Sequence, residues 1–599
     1  MTAALAVPVV LAPFLAAAVG LPLGRRLPPG IVAIAGTAVS AVLAIAVAVS
    51  SRPAETLARL TPTGGIAVTV GVRVGGLSAT VAVMVTLVAL AVQVYSVGYL
   101  RGDPRYPSYA ALVSLFTAAM LTVVLSADLL LTYAGWEVMG VCSYFLIGHH
   151  WERPAASSAA VKSFLMTRFG DVGFLFGVFV LGTAAGSFRI TDVLAAVPTM
   201  SHTTVLAAAL LMVVGVVGKS AQFPLHSWLP DAMAGPAPVS ALIHAATMVA
   251  AGVYLVALLF PVFLAAPLAL DVLAVLAVVS MLGAALAAFA SADLKRVLAY
   301  STISQLSLMF AALAVGGRTA AIAHLVSHAA FKALLFLCAG AVITAVGGGL
   351  LTDLGGLRRA MPVTFATMTV GFAALAGFPP TSGFFSKDLV VAAAGHAASG
   401  EAALVTVAVA WLVAVAVLLT AGVTAAYATR AWLLTFFGTE RPAREAGPVL
   451  TGPLLALAAP ALLLGLAALR WPELRPEWGS ALASVAVVVL GAGVVLARWR
   501  AAPGRDPADL LGRARPLLAS AWHTDDLYER TVARAVTGLA ERVVAVDDRV
   551  VGRAVTGSGR NAGRLGGLIR LSQNGNPQLY LTGLLAGVLL IAVGVVVLA

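Results

Sequence analysis

Long, uninterrupted apolar segments restrict the fold of this 599-residue chain more than any other feature. Many of them run for about 20 residues, the length that a helix needs to cross the hydrocarbon core of a bilayer. The strands of a membrane β-barrel would instead alternate apolar and polar residues over about ten positions. With 61% hydrophobic and only 10% charged residues, the chain is also too apolar for a soluble protein. The sequence therefore predicts an all-α, polytopic membrane protein with about 16 transmembrane helices.

Two of these helices are predicted to be broken at membrane depth. One apolar run ends at Lys219, and Pro224 cannot continue the helix because it lacks an N–H. A second break, GFPPTSGFFSKD at 377–388, again places a lysine, Lys387, beside prolines. Such breaks persist only inside protein or beside a hydrated cavity, and matching breaks in two halves indicate a transporter built from repeats. We expect inverted repeats of five helices, because five spans reverse the direction of the next unit.

This reasoning divides the chain into six parts. Three N-terminal helices, with a polar loop before the third, occupy 1–107. A first repeat at 108–260 and a second at 261–437 each contain one broken helix, helix 7 and helix 12. Two further helices (438–497), a lateral amphipathic helix (498–577) and a last span (578–599) follow. The polar loop lies at 51–76.

Lysine is rare in this chain and is placed selectively. Of 37 basic residues only five are lysines, at positions 162, 219, 295, 332 and 387. Three of these, Lys219, Lys332 and Lys387, lie inside apolar runs, where a charge costs roughly 2.5–3.5 kcal/mol or more. A desolvated lysine can lose its proton, whereas a guanidinium stays charged. The choice of lysine at these positions therefore indicates proton carriage.

Glu137 stands alone in the fifth predicted span, where a carboxylate needs a partner or a proton. Lys219 is the expected partner, because the pair would cancel its charge at rest and its separation would change the proton affinity of the lysine. A static structural ion pair is the alternative. The sixth span, at about 159–185, adds Arg168 and Asp171 as supporting polar residues.

His324, His328 and Lys332 follow one another at four-residue spacing, so they share one face of the eleventh helix. A His-x3-His pair also fits zinc. Because no acid or cysteine is near and the third member is a cation, we predict no metal site here and interpret the histidines as proton relay groups.

Two further polar groups extend this set. His244 lies in the span that follows Lys219 and continues the same line, with a hydrogen-bonded core histidine as the alternative. Asp388 is the expected counter-ion of Lys387. We predict one buried polar row through the molecule, provided that the two halves adjoin.

Loop charges predict the orientation. Basic residues concentrate after odd-numbered spans, at Arg25, Arg26, Arg101, Arg105, Lys295, Arg296, Arg358, Arg359, Arg441 and Arg444. Since cytoplasmic loops carry the excess of basic residues, the N-terminus is predicted outside and the lateral helix on the cytoplasmic side. The net charge of +12 is explained by basic loops that orient the spans and contact anionic lipid. We therefore expect no nucleic-acid partner. Cys142 and Cys338 form no CxxC motif, and no nucleotide or haem motif occurs, so no cofactor is expected in this chain.

After 498 the composition changes and apolar residues recur at every third or fourth position from 525 onwards. This spacing predicts an amphipathic helix which, if it continues to 572, reaches roughly 70 Å at about 1.5 Å per residue. A basic helix lying on anionic lipid and a brace across neighbouring subunits are both open. Glycines between 552 and 567 argue against its second half.

Several segments resemble the antiporter-like L subunits of respiratory complex I, the NADH–quinone oxidoreductase, which are related to Mrp antiporters. They are WEVMGVCSYFLIG, VKSFLMTRFGDVGF, GKSAQFPLHSWLPDAMAGPAPVSALIHAATMVAAGVYL, HLVSHAAFKALLFL, GFPPTSGFFSKD and the pair DDLYERTVARAV and RLSQNGNPQLYL near the end. The resemblance covers nearly the whole chain. One departure is Ala535, where the family usually has a proline in its lateral helix.

This resemblance implies a proton channel in a bacterial cytoplasmic membrane, driven by redox chemistry elsewhere in a complex. The implied proton pathway contains Glu137, Lys219, His244, His324, His328, Lys332 and Lys387. Flavin, iron–sulfur clusters and quinone would belong to partner subunits. The implied partners are membrane-arm subunits of the M, N, K, J, A and H types, contacted partly through the lateral helix.

Two alternatives stay open. The large subunit of a secondary Na⁺/H⁺ antiporter would show sodium dependence and would have no flavin or iron–sulfur partner. A structural brace without its own channel would have no need of lysines inside the membrane.

Overall fold

The computed structural model describes residues 2–23, 30–50, 53–63, 66–401 and 404–599. Two of the expected cytoplasmic charges, Arg25 and Arg26, lie outside this range. Among the described residues, fifteen helices are long and apolar enough to cross a membrane. The remaining predicted span is present as two shorter helices separated by the second break. The prediction of an all-α, multi-pass membrane protein is confirmed.

The N-terminal part contains three helices and one β-hairpin. Its elements are α1 (Thr2–Leu23), α2 (Ile31–Ser50), β1 (Ala54–Thr63), β2 (Ile66–Val74) and α3 (Gly76–Tyr99). The described residues of the polar loop predicted at 51–76 thus form this hairpin. Alternating β-branched residues in IAVTVGVRV suit a strand.

The hairpin is fastened to the helices beside it. Thr69 Oγ1 donates to Asp128 Oδ2 at 2.8 Å, at the start of the fifth helix. The Arg189 guanidinium contacts both carboxylate oxygens of Glu55, at 2.8 and 2.7 Å. The hydrogen bonds of Arg189 hold the pKa of the Glu55 carboxyl below its ordinary value, although burial acts in the opposite direction.

The first repeat begins with four helices that run to the first break. They are α4 (Tyr106–Leu125), α5 (Leu129–Ile147), α6 (Pro154–Ala185) and, after the short α7 (Ile190–Ala196) and a 3-10 turn at Val197–Thr199, α8 (His202–Lys219). After the break come α9 (Trp228–Asp231), a 3-10 turn at Ala232–Ala234, α10 (Ala237–Ala245), α11 (Ala250–Leu258) and α12 (Phe260–Leu264). The eighth span was predicted as one helix but is interrupted between α10 and α11.

The helices of the predicted second repeat again place three long helices before the broken one. The helices of this repeat are α13 (Pro267–Ala290), α14 (Leu294–Ala314), α15 (Arg318–Val346), α16 (Pro362–Ala376), α17 (Ser382–Ala398) and α18 (Val407–Phe436), with the second break between α16 and α17. Each break contains a cis X-Pro peptide bond, Phe223–Pro224 in the first and Pro379–Pro380 in the second.

The two repeats share one local arrangement at the second helix of each. Asp128 caps α5 by accepting from an N–H of its first turn, and Asp293 caps α14 in the same way. Each aspartate also forms an antiparallel bridge with the loop after the next helix, Asp128 with Arg189 and Asp293 with Leu350. Equivalent caps and bridges at equivalent positions support the repeat expected from the two breaks.

The centre of the membrane bundle consists of α10, α11, α14 and α15. Every residue of α10 and α11 is buried, as are nearly all residues of α14. On peripheral helices such as α2 and α21 about half or more of the side chains reach the surface. His244, His324, His328 and Lys332, which these helices carry, are therefore fully buried.

After the repeats, the chain closes the first compact unit, Met1–Trp522. Its helices are α19 (Pro448–Leu463), α20 (Ala467–Arg470), α21 (Trp478–Ala501) and α22 (Arg515–Ala519), with 3-10 segments at Leu464–Leu466, Pro472–Leu474, Pro507–Ala514 and Ala521–His523. Buried Arg430 on α18 contacts both carboxylate oxygens of Asp506, at 2.6 and 2.8 Å, and donates to the Ser291 carbonyl at 2.8 Å.

The second unit, His523–Ala599, contains the predicted lateral helix and the last span. Its elements are α23 (Thr524–Tyr528), α24 (Arg534–Val546), α25 (Arg553–Ser572) and α26 (Pro577–Leu598), with π-helical segments at Glu529–Ala533 and Asp547–Gly552. The chain is helical without interruption from 524 to 572. Neither Ala535 nor the glycines at 552–567 therefore break the helix.

Candidate functional site

The first break is held open by side chains that satisfy its free backbone groups. Trp228 Nε1 donates to the Gly218 carbonyl at 3.0 Å. Ser220 Oγ, at the break, donates to the Val249 carbonyl just before α11 at 2.7 Å. The N–H of Phe223 donates to Ser280 Oγ at 2.9 Å. Because unpaired backbone groups are very costly in a membrane interior, these bonds explain why α8 can end at Lys219.

Lys219 is completely buried at the end of α8 and is paired with Asp171 of α6. Its Nζ lies 3.1 Å from Asp171 Oδ2, and the other carboxylate oxygen accepts from Trp136 Nε1 at 2.6 Å. Gly140 of α5 provides the space, since a Cβ there would lie 2.6 Å from Lys219 Nζ. Close packing of α5, α6 and α8 thus encloses one charge pair.

Glu137 forms an ion pair with Arg168, not with Lys219 as the sequence analysis expected. Arg168 and Asp171 are three residues apart on α6, so both lie on one helix face. That face lies between α5 and α8. Arg168 contacts Glu137 of α5, and Asp171 contacts Lys219 of α8. The result is a cluster of two acids and two bases, in which Arg168 also interacts electrostatically with Lys219.

His244 lies at the end of α10, immediately before the interruption of the eighth span. It is fully buried, its ring centroid lies 4.7 Å from that of Phe336, and neither ring nitrogen has a hydrogen-bond partner within the described residues. A core histidine of the ordinary kind would be hydrogen-bonded. The structure therefore does not support the alternative that His244 is a hydrogen-bonded core residue.

His324, His328 and Lys332 lie along one face of α15, as predicted, and all three are fully buried. The ring centroids of the two histidines are 6.4 Å apart. Lys332 Nζ donates to the Leu298 carbonyl at 3.2 Å and contacts Ser301 Oγ, both on α14. The lysine therefore faces uncharged oxygens.

The two histidines of α15 differ in their partners. His324 Nδ1 lies 2.9 Å from Ser386 Oγ and its Nε2 lies 3.2 Å from Gln305 Oε1. A neutral ring protonated at Nε2 would donate to Gln305 and accept from Ser386. His328 faces the backbone of Ala245, but its ring nitrogens reach no hydrogen bond of normal geometry within the described residues.

Lys387 lies in the first turn and a half of α17, just after the second break. Its Nζ donates to the carbonyls of Leu375 and Ala376, at 2.6 and 3.4 Å, which end α16. The C-terminal carbonyls of a half-helix are a favourable place for a cation. Both broken helices thus present a lysine at the break, but only the first lysine has a carboxylate partner.

Asp388 is not the counter-ion of Lys387, contrary to the sequence analysis. Its carboxylate accepts from the N–H of Glu477 at 2.9 Å and from Ser480 Oγ at 2.7 Å. These donors belong to the start of α21, so Asp388 fastens α17 to that helix. Adjacent residues of a helix point about 100° apart, which separates the two side chains.

The structure brings most of the predicted residues into one buried row. Lys387 lies close enough to His324 and Lys332, and Lys332 to His328 and His244, for positive charges on these groups to repel one another. The cluster of Glu137, Arg168, Asp171 and Lys219 lies at the first break. Between them, Ser307 Oγ of α14 donates to Gln222 Oε1, just after Lys219, at 2.6 Å.

Sequence reasoning missed the uncharged polar members of this row. Ser301, Gln305 and Ser307 are buried on α14, and Ser386 precedes Lys387. Their signal was present, because hydroxyl and amide residues occupy five of the seven positions from 301 to 307, in the middle of α14. It was overlooked because a serine in a membrane helix can also bond to its own backbone.

Two family models match the chain. The model described as NADH:quinone oxidoreductase/Mrp antiporter, TM covers residues 126–421, which contain both breaks and the whole polar row. The model described as NADH-Ubiquinone oxidoreductase (complex I), chain 5 N-terminus covers residues 60–110.

Similar proteins match over most of their length. The chain is 37% identical over 562 residues to NADH-quinone oxidoreductase subunit L of Mycobacterium tuberculosis, covering 90% of this chain and 88% of the relative. It is 41% identical over 500 residues to F(420)H(2) dehydrogenase subunit L of Methanosarcina mazei, covering 76% and 72%.

Solved structures show the same fold. A chain of the Mrp complex from Dietzia sp. DQ12-45-1b superposes with a TM-score of 0.79 at 25% identity, covering 95% of this chain; the match spans 63% of that chain. A chain of the archaeal membrane-bound sulfane sulfur reductase superposes with a TM-score of 0.70 at 22% identity, covering 81% and 97%. From these matches, the chain belongs to the antiporter-like, L-type (chain 5) membrane subunits of the NADH:quinone oxidoreductase family.

Proposed function

We propose that this chain is a proton-translocating membrane subunit of a redox-driven NADH:quinone oxidoreductase. The observation that carries the proposal is the buried row itself. Three lysines lie inside the bundle, and two of them, Lys332 and Lys387, donate to uncharged oxygens. A buried cation held only by neutral oxygens is costly unless it can release its proton. Such groups suit proton transfer and have no use in a passive scaffold.

The proposed mechanism begins at the first break. A signal from neighbouring subunits would change the balance between the Glu137–Arg168 and Lys219–Asp171 pairs. Because Lys219 keeps its charge only while a carboxylate compensates it, loosening that contact favours release of its proton. The histidines and Lys332 would then pass charge towards Lys387 at the second break.

The proposal is tested in the purified complex, reconstituted into vesicles. We expect Lys332→Met to abolish the share of proton pumping that belongs to this subunit while electron transfer and assembly are retained. Ile322→Met on the same helix is the matched control, because this residue lies outside the row. Full pumping per electron in Lys332→Met would contradict the proposal.

We further propose that flavin, iron–sulfur clusters and quinone are bound by partner subunits. The two cysteines, Cys142 and Cys338, are buried on separate helices and are not paired with one another. Identification of the proteins that copurify with the tagged chain in mild detergent tests this point. Flavin and iron–sulfur subunits are expected, and their identity would name the electron donor.

The proposed partners are the other membrane-arm subunits, of the M, N, K, J, A and H types. The second unit supports contact through the lateral helix, since apolar side chains of α24 and α25, such as Leu539, Val543 and Leu568, are about 60% exposed. A chain ending at residue 522 is expected to lose these partners in copurification. Unchanged assembly would indicate that the helix instead lies on lipid.

We propose a bacterial cytoplasmic membrane location with the N-terminus outside and the lateral helix inside. Basic residues of described loops support this orientation, including Arg101, Arg358 and Arg359. A single cysteine that replaces Arg358 should react with an impermeant thiol reagent only in inverted vesicles. A single cysteine that replaces Thr199, an exposed residue between α6 and α8, should react only in right-side-out vesicles. The opposite pattern would reverse the orientation.

A sodium/proton antiporter is the second candidate, and the TM-score of 0.79 to a chain of an Mrp complex is the observation that favours it. It predicts transport that depends on sodium and proceeds without an electron donor. Transport that needs NADH and is insensitive to sodium would exclude this candidate.

A further inference from the structure

Two loops outside the polar row bring three metal-binding side chains together. Asp103 lies in the loop between α3 and α4, and His149 and His150 lie in the loop between α5 and α6. One ligand atom from each residue lies within 4.8 Å of the other two. We propose that Asp103, His149 and His150 bind a divalent transition metal ion with the ligand preferences of zinc.

The shortest edge of this group already has the spacing of a metal site. Asp103 Oδ2 lies 3.0 Å from His149 Nε2. Two ligands at about 2.0–2.1 Å from a tetrahedral zinc lie roughly 3.4 Å apart. A zinc ion can therefore replace the proton that these two atoms share. The His150 nitrogen needs to move by roughly 1.4 Å from its 4.8 Å limit, a change within reach of a side-chain rotation.

The first two ligands are held in place by their neighbours. Asp103 Oδ1 accepts the N–H of Arg105 at 2.8 Å, which leaves Oδ2 directed at His149. The His149 ring, which is 7% exposed, packs edge-on against Tyr109 with centroids 5.3 Å apart. Oriented ligands of this kind lose little freedom when a metal binds.

The third ligand gives access from solvent. His150 and Asp103 are partly exposed, and the rings of His149 and His150 lie 4.8 Å apart at 67°. An imidazole nitrogen is a common zinc ligand, and water can complete a four-coordinate shell.

Nearby positive charge opposes binding but is partly compensated. Arg105 donates to Glu152 at 2.7 Å, and its Nε lies 4.0 Å from Asp103 Oδ1. Arg153 is the other cation that acts on this site. A bound ion would connect the loop before α4 to the loop after α5, and would hold those helix ends together.

The test uses the full-length chain in lipid nanodiscs, purified without a polyhistidine tag and stripped of metal with a chelator. Zinc chloride is titrated in competition with a chromophoric chelator. We expect one zinc per chain, with at least tenfold weaker binding in His150→Gln and in Asp103→Asn. His202→Gln, which alters an exposed histidine at the start of α8, is expected to bind as the unmodified chain does.

Stability and spectroscopy distinguish binding from damage to the fold. Because His150 is partly exposed, His150→Gln and the unmodified chain should unfold at the same temperature without zinc. Zinc should raise the unfolding temperature of the unmodified chain only. X-ray absorption should show nitrogen and oxygen ligands at about 2.0–2.1 Å. Equal zinc affinity in His150→Gln and the unmodified chain, or an equal loss in His202→Gln, would overturn the proposal.

Discussion

Lys219 donates a hydrogen bond to Asp171 across 3.1 Å at a point where neither side chain reaches the surface. The second oxygen of the carboxylate is occupied by Trp136, so the Lys219–Asp171 contact is geometrically restrained. One turn away on α6, Arg168 holds Glu137. A proton that reaches this cluster therefore changes the balance of two neighbouring ion pairs, which makes the pairing itself testable.

Replacing Asp171 by Asn should destabilise the complex, because removal of one partner leaves the other charge buried and uncompensated. Breaking a buried pair costs about 3–5 kcal/mol, although loss of the lysine proton can reduce this. The double variant Asp171→Asn with Lys219→Met should recover most of the stability but no pumping by this subunit. Thermal unfolding and vesicle acidification measure the two effects, and an unstable double variant would contradict the assigned pair.

Gly140→Ala should impair pumping, because its Cβ would lie 2.6 Å from Lys219 Nζ and would displace the ammonium from Asp171. The matched control is Gly493→Ala on α21, where a Cβ meets nothing within 4 Å. We expect reduced proton release per electron in the first variant and no change in the second. Equal pumping in both would show that the ammonium position is not critical.

Replacements of the neighbouring residues Lys387 and Asp388 should have different effects on pumping and on stability. Lys387→Arg keeps the positive charge but cannot be deprotonated at physiological pH, so pumping should be lost while stability is retained. Asp388→Asn weakens the contact with Ser480 and the N–H of Glu477, so it should lower stability by about 1–3 kcal/mol with pumping preserved. Pumping in Lys387→Arg would mean that charge alone suffices at this position.

Asp506→Asn should destabilise the first unit by about 3 kcal/mol, because Arg430 is fully buried and loses its carboxylate partner. Burial raises the pKa of Asp506, but its hydrogen bonds and attraction to Arg430 outweigh this and lower the pKa overall. A lowered pKa stabilises the fold above the ordinary aspartate value of about 3.9 and ceases to do so as pH falls through the folded value.

The pH dependence provides the control for this prediction. The stability difference between the unmodified chain and Asp506→Asn should be constant from neutral pH down to about pH 4 and should shrink only below that. Chemical unfolding at several pH values measures it. A difference that disappears near neutral pH would show that the ion pair does not act as described.

Residue spacing alone predicted the membrane spans and the shared face of α15, but not the interruption between α10 and α11. Apolar runs of span length specify helices in lipid, because every backbone group must be bonded within its own segment. For the same reason the prolines beside Lys219 and Lys387 predicted both breaks. His324, His328 and Lys332 share a face because helical geometry places residues four apart on one side.

The partners of the ionisable groups were decided by the tertiary structure. Nothing in the sequence shows that the Arg168 and Asp171 face of α6 lies between Glu137 and Lys219, or that Asp388 turns towards α21. Asp103 and His149 meet across 46 residues. The sequence by itself determined which segments enter the membrane and which of them carry charge, because those depend on local composition. Only the packing of helix faces decided which charges meet, because a buried charge can pair only with a group that a neighbouring helix places within contact distance.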